Sequence, residues 1–174
     1  MTFADNHDVT RLASILTNPA HIPLAYGLLL GMPGIPCLYY GSEWGIEGDR
    51  KITDLNLRPE IFLEKYEKNE FAKKIEKEIS QLISIRKSNI ELTHGNYKEI
   101  LVKNKQFIFG RCYNDKWILV VLNLDDKDEI LEFNVPFSNK SLINLKNTNE
   151  HFTTFNNKLQ LNIPAFSNKI LKVE

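Results

Sequence analysis

Phe3-Ala4-Asp5-Asn6-His7-Asp8 decides how this 174-residue chain is read. Phe3 and Ala4 read as the end of a buried parallel strand. The Asp5-Asn6-His7-Asp8 run cannot continue it, because Asp and Asn are disfavoured inside strands. The polar cluster therefore falls where a strand opens into a βα-loop, and parallel α/β enzymes keep their chemistry there.

The residues that follow support that placement. Thr10 to Leu16 predicts a short turn of helix, and His21 to Met32 a longer apolar one, stopped by the glycines and prolines of 31–34. Ile35 to Tyr40, bounded by Pro36 and Gly41, is apolar at nearly every position and suits a central parallel strand. Strand, crossover helix and strand make a βαβ unit. Residues 41–68 read as a long charged loop, too long for a plain connector, which points to function or to a missing partner. Over 69–88 the spacing predicts an amphipathic helix with Phe71, Ile75, Ile79, Leu82 and Ile83 on its buried face. Asn69 is its expected N-cap, and Arg86 and Lys87 suit its C-terminal dipole.

From about residue 89 the hydrophobic period changes to two. Leu159, Leu161 and Ile163 alternate with polar neighbours. Phe107 to Tyr113 and Lys116 to Leu122 flank Asn114-Asp115, a two-residue hairpin turn. Short strands at 130–135, 141–145, 152–155 and 168–173 complete a pattern that argues for an antiparallel sandwich. Trp117, inside an apolar run, is expected to be buried. The fold class is thus α/β followed by all-β, divided near residue 88.

Composition excludes several classes of function. Twenty-two basic residues balance twenty-two acidic ones, so charge makes no case for nucleic acid or an anionic membrane. Prolines and glycines divide the most apolar stretch, 22–38, so no uninterrupted span of ~20 apolar residues is left to cross a bilayer. No basic segment leads into an apolar run at the N-terminus, and a signal peptide is not expected. Cys37 and Cys112 read as buried free thiols of a reducing, cytoplasmic compartment rather than a disulfide. His21, His94 and His151 are scattered, with no carboxylate or thiol at ligand spacing, so neither a metal nor a cofactor is expected.

Phe3 to Asp8 with Arg11 resembles the motif at the end of the seventh barrel strand in the α-amylase family of glycoside hydrolases. Gly31-Met32-Pro33-Gly34-Ile35-Pro36-Cys37-Leu38-Tyr39-Tyr40-Gly41-Ser42-Glu43-Trp44-Gly45 resembles that family's eighth strand and following loop. The resemblance implies a partial (β/α)8 TIM barrel of about two βα units over 1–88 and an antiparallel β-sandwich over 89–174. It also implies retaining hydrolysis of α-glucans or maltodextrins, with one carboxylate as nucleophile and a second as acid. Motifs for those two carboxylates occur nowhere in this sequence, so the chain alone is expected to be inert.

By the same resemblance Asp8 matches the family's third carboxylate, a transition-state stabiliser, and His7 matches a hydroxyl-binding imidazole. The plainer reading makes the pair a helix cap with a solvated carboxylate. Arg11 either holds Asp8 or a neighbouring loop, or is an exposed first-turn cation. Asp54 and Arg58 resemble a pair that contacts outer sugars, or form an ion pair within their own loop. Tyr39, Tyr40 and Trp44 either stack on sugar faces or pack the strand end. Glu43 supports the loop rather than forming a second catalytic carboxylate. Three other readings remain: a fragment that complements a separately encoded barrel, a β-sandwich module that binds glycan or protein, and a truncated gene product with Met1 an internal codon.

Overall fold

The computed structural model describes residues 1–174. Two short parallel strands, β1 (Thr2–Phe3) and β2 (Pro36–Cys37), pair in the register Thr2↔Pro36 and Phe3↔Cys37. Between them run the one-turn helix α1 (Leu12–Ile15) and the ten-residue α2 (Ile22–Gly31). The strand–helix–strand unit is present, but its strands are not the buried, central ones expected. Phe3 is 45% exposed, Ile35 74%, and Cys37 is also exposed. Each strand has a single partner, so an apolar sequence written for a sheet interior meets solvent here.

Residues 41–68 are more structured than the loop predicted. They hold a 3-10 turn at Ser42–Trp44, α3 (Asp54–Leu57) and α4 (Leu63–Glu67). Thr53 caps α3 by accepting the Asn56 N–H at 3.2 Å.

The long helix α5 (Glu70–Ser88) starts as predicted, with Asn69 Oδ1 accepting the N–H groups of Phe71 and Ala72 at 3.0 and 3.1 Å. Its buried stripe is Ala72, Ile75, Ile79, Leu82, Ile85 and Arg86. Phe71 is exposed and Ile83 only half-buried, so the stripe is rotated from the predicted face by about one residue. Rather than ending its own helix, Arg86 crosses to the C-terminus of α2. Its guanidinium donates to the carbonyls of Leu30 at 2.5 Å, Met32 at 3.1 Å and Gly34 at 2.7 Å. A cation there answers both the orphan carbonyls and the negative helix end.

After α6 (Ile90–His94) the chain is antiparallel. The strands are β3 (Asn96–Val102), β4 (Gln106–Tyr113), β5 (Lys116–Asn123), β6 (Glu129–Asn134), β7 (Ser141–Asn144), β8 (His151–Thr153), β9 (Lys158–Ile163) and β10 (Ser167–Val173). Six of them form one sheet in the order β3-β4-β5-β10-β7-β8, while β6 pairs with β9 in a second. The β4–β5 turn is the predicted one, with Asn114 and Asp115 at φ 48° and 60°, the left-handed pair a two-residue hairpin requires.

Strand β5 is buried on both faces, which accounts for its unbroken apolar run. Ile118, Val120 and Leu122 face α2 and α5, whereas Leu119 and Val121 face the β6–β9 sheet. The first of these cores joins residues on both sides of position 88: Ile22, Leu30, Ile75 and Leu82 pack with Phe109, Val120 and Ile170. Each such aliphatic side chain contributes roughly 1.5–3 kcal/mol on burial. The helix α2 lies very close to the sheet because Gly31 has no side chain; a Cβ there would stand 2.9 Å from Val120 Cγ2.

Arg111 of β4 seals the same junction from the sheet side. It donates to Gly31 O at 2.7 Å and to Gly95 O through Nε at 3.2 Å and Nη2 at 2.7 Å. Burial, and then the charge of Arg86, pull its pKa down to about 10, so the guanidinium stays charged at neutral pH. Two further expectations are corrected. Cys112 is half-buried and Cys37 exposed, both free; Trp117 is half-exposed. No helix is long and apolar enough to cross a membrane.

Candidate active site

Because β1 and β2 are parallel, the segments after them, 4–10 and 38–46, emerge on the same side. That side carries the polar cluster. Asn6 Oδ1 accepts the Asp8 N–H at 2.8 Å, a local turn that fixes the Asp8 backbone. His7 Nε2 lies 3.0 Å from Asp8 Oδ2, and Arg58 Nη2 donates to Asp8 Oδ1 at 3.1 Å. Arg58 Nε also reaches the His7 carbonyl at 3.3 Å. The Asp8 side chain is 59% exposed, His7 57% and Arg58 45%. A carboxylate flanked by an imidazole and a guanidinium thus opens to solvent, where it can accept hydrogen bonds from a hydroxylated ligand.

Beneath the open cluster lies a buried layer that sequence reasoning left unassigned. Asp5 is 3% exposed. Its carboxylate accepts from Ser42 Oγ at 2.8 and 3.0 Å and from the Leu12 N–H at 2.9 Å, so it ties the segment after β1 to the one after β2 and to the start of α1. Burial first, and the neighbouring Asp5 charge second, push the Tyr26 phenol well above its ordinary pKa. The available signal was position: of the two carboxylates in the run, Asp5 is the one directly after the strand-ending Phe3 and Ala4.

Arg11 belongs to this hidden layer. It is completely buried. It donates to Leu57 O at 3.1 Å, to Tyr40 O at 2.9 Å and to Ser42 Oγ at 3.1 Å. Since Ser42 in turn donates to Asp5, the hydroxyl relays between a buried cation and a buried anion. The guanidinium also covers the Tyr39 ring, 4.1 Å from its centroid. Of the readings open for Arg11, the structure takes the neighbouring-loop one; neither a bond to Asp8 nor an exposed cation is found.

Asp54 and Arg58 do not form the intraloop ion pair considered above. Asp54 opens α3, in its first turn, while Arg58 turns instead to Asp8. Tyr40 is 43% exposed and gives its hydroxyl to Pro59 O at 3.0 Å. Its ring meets Tyr39 edge-on at 4.7 Å. Trp44 stacks on Tyr66 at 5.1 Å and donates to Glu76 Oε2 at 3.2 Å, so one of its faces is already covered. His7, Asp8, Arg58, Tyr39 and Tyr40 therefore form one contiguous cluster, with the His7 and Tyr39 rings 6.3 Å apart.

One carboxylate does not suffice for retaining hydrolysis, which needs a second ~5–5.5 Å away. Glu43 follows Ser42 in the 3-10 turn and is half-buried.

Comparisons with known proteins bear on the family and the fold. Residues 1–91 match the family described as alpha amylase, catalytic domain. Cyclomaltodextrinase from Thermoanaerobacter pseudethanolicus is 32% identical over 142 residues, which cover 81% of this chain and 24% of that protein. Cyclomaltodextrin glucanotransferase from Geobacillus stearothermophilus is 28% identical over 123 residues, 71% of this chain and 16% of that protein. The chain thus spans about a quarter or less of the curated relatives it matches. Among solved structures, the alpha-amylase from Geobacillus thermoleovorans complexed with acarbose superposes with a TM-score of 0.85 at 22% identity, over 99% of this chain and 38% of that one. That match extends the likeness in fold through the antiparallel half, and with the family match over the first half it leads to one conclusion: this chain belongs to the alpha-amylase family.

Proposed function

We propose that the chain is the C-terminal portion of a retaining, cytoplasmic glycosidase that acts on α-glucans or maltodextrins. Residues 1–88 form the last βα units of its (β/α)8 barrel, and 89–174 the β-sandwich domain that follows. Asp8 is the transition-state stabiliser: it accepts hydrogen bonds from sugar hydroxyls and favours positive charge developing at the cleaved carbon. His7 and Arg58 bind the same sugar from either side of Asp8, and Asp54 contacts an outer unit. Arg11 acts from below, by holding Tyr40 at the rim. The nucleophile and the acid come from polypeptide that this chain does not contain, so the chain alone is inert.

The observation that carries this reading is the Asp8 carboxylate, exposed yet held on two sides, at the C-terminal end of a parallel strand. Two assays test it. The isolated chain should not turn over maltotriose or cyclodextrins. Joined to a family member's first six barrel strands it should do so, and Asp8→Asn should then lower kcat by at least about a hundredfold, the loss typical of one transition-state contact. Turnover by the isolated chain that Asp8→Asn abolishes would overturn the inertness.

A second reading, in which the remaining strands are a separate chain, draws on the exposed Phe3 and Ile35 of the β1–β2 pair. It predicts a stable heteromer on co-expression with such a partner and none when Ile35 is replaced by Lys.

A further inference from the structure

The antiparallel half has a concavity of its own, of about 510 Å³, at the open end of the layer between the two sheets. That size lies within the roughly 300–1,000 Å³ of small-molecule sites. Trp117 and Phe137 supply its apolar wall, with ring centroids 6.0 Å apart and planes inclined by 52°. Trp117 projects from β5 and lies over Gly110 of the neighbouring strand. A Cβ at Gly110 would stand 2.8 Å from Trp117 Cζ3 and 3.0 Å from Cε3, so the glycine is what lets the indole lie down on β4. A half-exposed ring seated in this way offers a flat face that does not swing.

The rim is polar and nearly balanced in charge. Asp115 and Glu174 stand against Lys116, Lys140 and Lys172. Two of the five are already engaged: Lys172 donates to Asn89 Oδ1 at 2.8 Å, and Glu174 accepts from Ser141 Oγ at 2.9 Å. The backbone carrying Lys140 is pinned to Thr154, whose Oγ1 accepts the Lys140 N–H at 2.9 Å and whose N–H reaches the Lys140 carbonyl at 2.9 Å. With two carboxylates among its charges, the rim is not the purely cationic cradle a phosphate would favour. Rigid rings flanked by donors and acceptors suit a neutral ligand with C–H faces and many hydroxyls, which is the chemistry of a pyranose.

We propose that this concavity is a second, non-catalytic binding site for an α-glucan, with Trp117 as the stacking platform and Asp115 and Lys140 as its hydroxyl partners. The choice of an α-linked sugar rests on the function proposed above, while the sugar platform rests only on Trp117 and its surroundings. The site lies in the antiparallel half and shares no residue with the Asp8 cluster, so the completed enzyme would hold a polymeric substrate at a place where it does not cut.

The sequence has two tryptophans, so the Trp44→Phe chain reports on Trp117 alone. Titrated with maltoheptaose, its fluorescence should change saturably, and the change should persist when Asp8 is also replaced by Asn. Trp117→Leu keeps apolar bulk over Gly110; followed calorimetrically, it should bind at least about tenfold more weakly. Lys140→Ala, at an exposed rim position that puts no folding at risk, should weaken binding by about threefold or more. An unresponsive Trp117, equal affinity in Trp117→Leu, or titration lost with Asp8→Asn would overturn the proposal. Cellohexaose binding in place of maltoheptaose would overturn the α-glucan assignment. The barrel reading stands or falls separately, on turnover in the completed enzyme.

Discussion

Ser42 donates its hydroxyl to Asp5 Oδ1 at 2.8 Å, joining the segment after β1 to the segment after β2 across 37 positions of sequence. The bond is buried, so removing either partner leaves the other short of a hydrogen bond. Asp5→Ala leaves the Ser42 hydroxyl and the Leu12 N–H without an acceptor, at about 1–3 kcal/mol for each stranded group. Ser42→Ala leaves Asp5 its bond from Leu12 and should cost less. Urea denaturation of the two variants decides the order, and equal stabilities would count against Asp5 as the organiser of the cluster.

Arg111 joins β4 to the C-termini of α2 and α6 through three hydrogen bonds. Arg111→Met keeps the length of the side chain and loses all three, for an expected loss of at least about 2 kcal/mol, since hydrogen bonds to charged groups are worth roughly 1.5–3 kcal/mol each. Arg111→Lys should restore little, because a compact ammonium lacks the planar fork.

Lys169 Nζ donates to Glu150 Oε2 at 2.6 Å, and that bond above all holds the Glu150 carboxyl below its ordinary value of 4.5. A carboxylate lowered on folding adds stability above its unfolded pKa and loses it as pH falls through the folded one. Wild type should therefore exceed Glu150→Gln at pH 7 by up to about 1 kcal/mol, given the partial exposure. The gap should close as the solution is acidified below 4.5. Denaturation midpoints measured from pH 7 to pH 3 test this, and a gap unchanged at low pH would rule it out.

Gly31→Ala places a methyl 2.9 Å from Val120 Cγ2 and 3.0 Å from Phe109 Cζ. Both neighbours lie in the core, so the strain has little room to relax, and a loss of about 1–3 kcal/mol is expected. Thermal melting of Gly31→Ala beside wild type measures it.

Ile35, 74% exposed beside β2, contributes little to the isolated chain. Ile35→Lys should shift stability by no more than about 0.5 kcal/mol while reducing self-association, as seen by sedimentation at rising concentration.

The strongest local signals in the sequence were also the easiest to read. Asn114-Asp115 marks its turn because few residue pairs tolerate two left-handed positions, and Asn69 marks the start of α5 by side-chain capping. What stayed hidden depends on distant partners. Arg58 reaches Asp8 from 50 positions away, and nothing in its neighbourhood distinguishes Asp8 from the nearer Asp54. Strand β3 was missed because it is a mostly exposed edge whose alternation slips at a bulge between Glu99 and Leu101. The opposite error befell β1 and β2, whose apolar runs promise a sheet interior that two strands by themselves do not make.

The layer of side chains shared by α2, α5 and β5 reaches across the point where the two halves meet. Cutting the polypeptide between Ser88 and Asn89 would strip the hydrophobic lining from both pieces at once and leave the Arg111 guanidinium without its Gly31 acceptor. The sheet and the two helices laid on it are therefore to be expressed, grafted or swapped between enzymes as a single cassette.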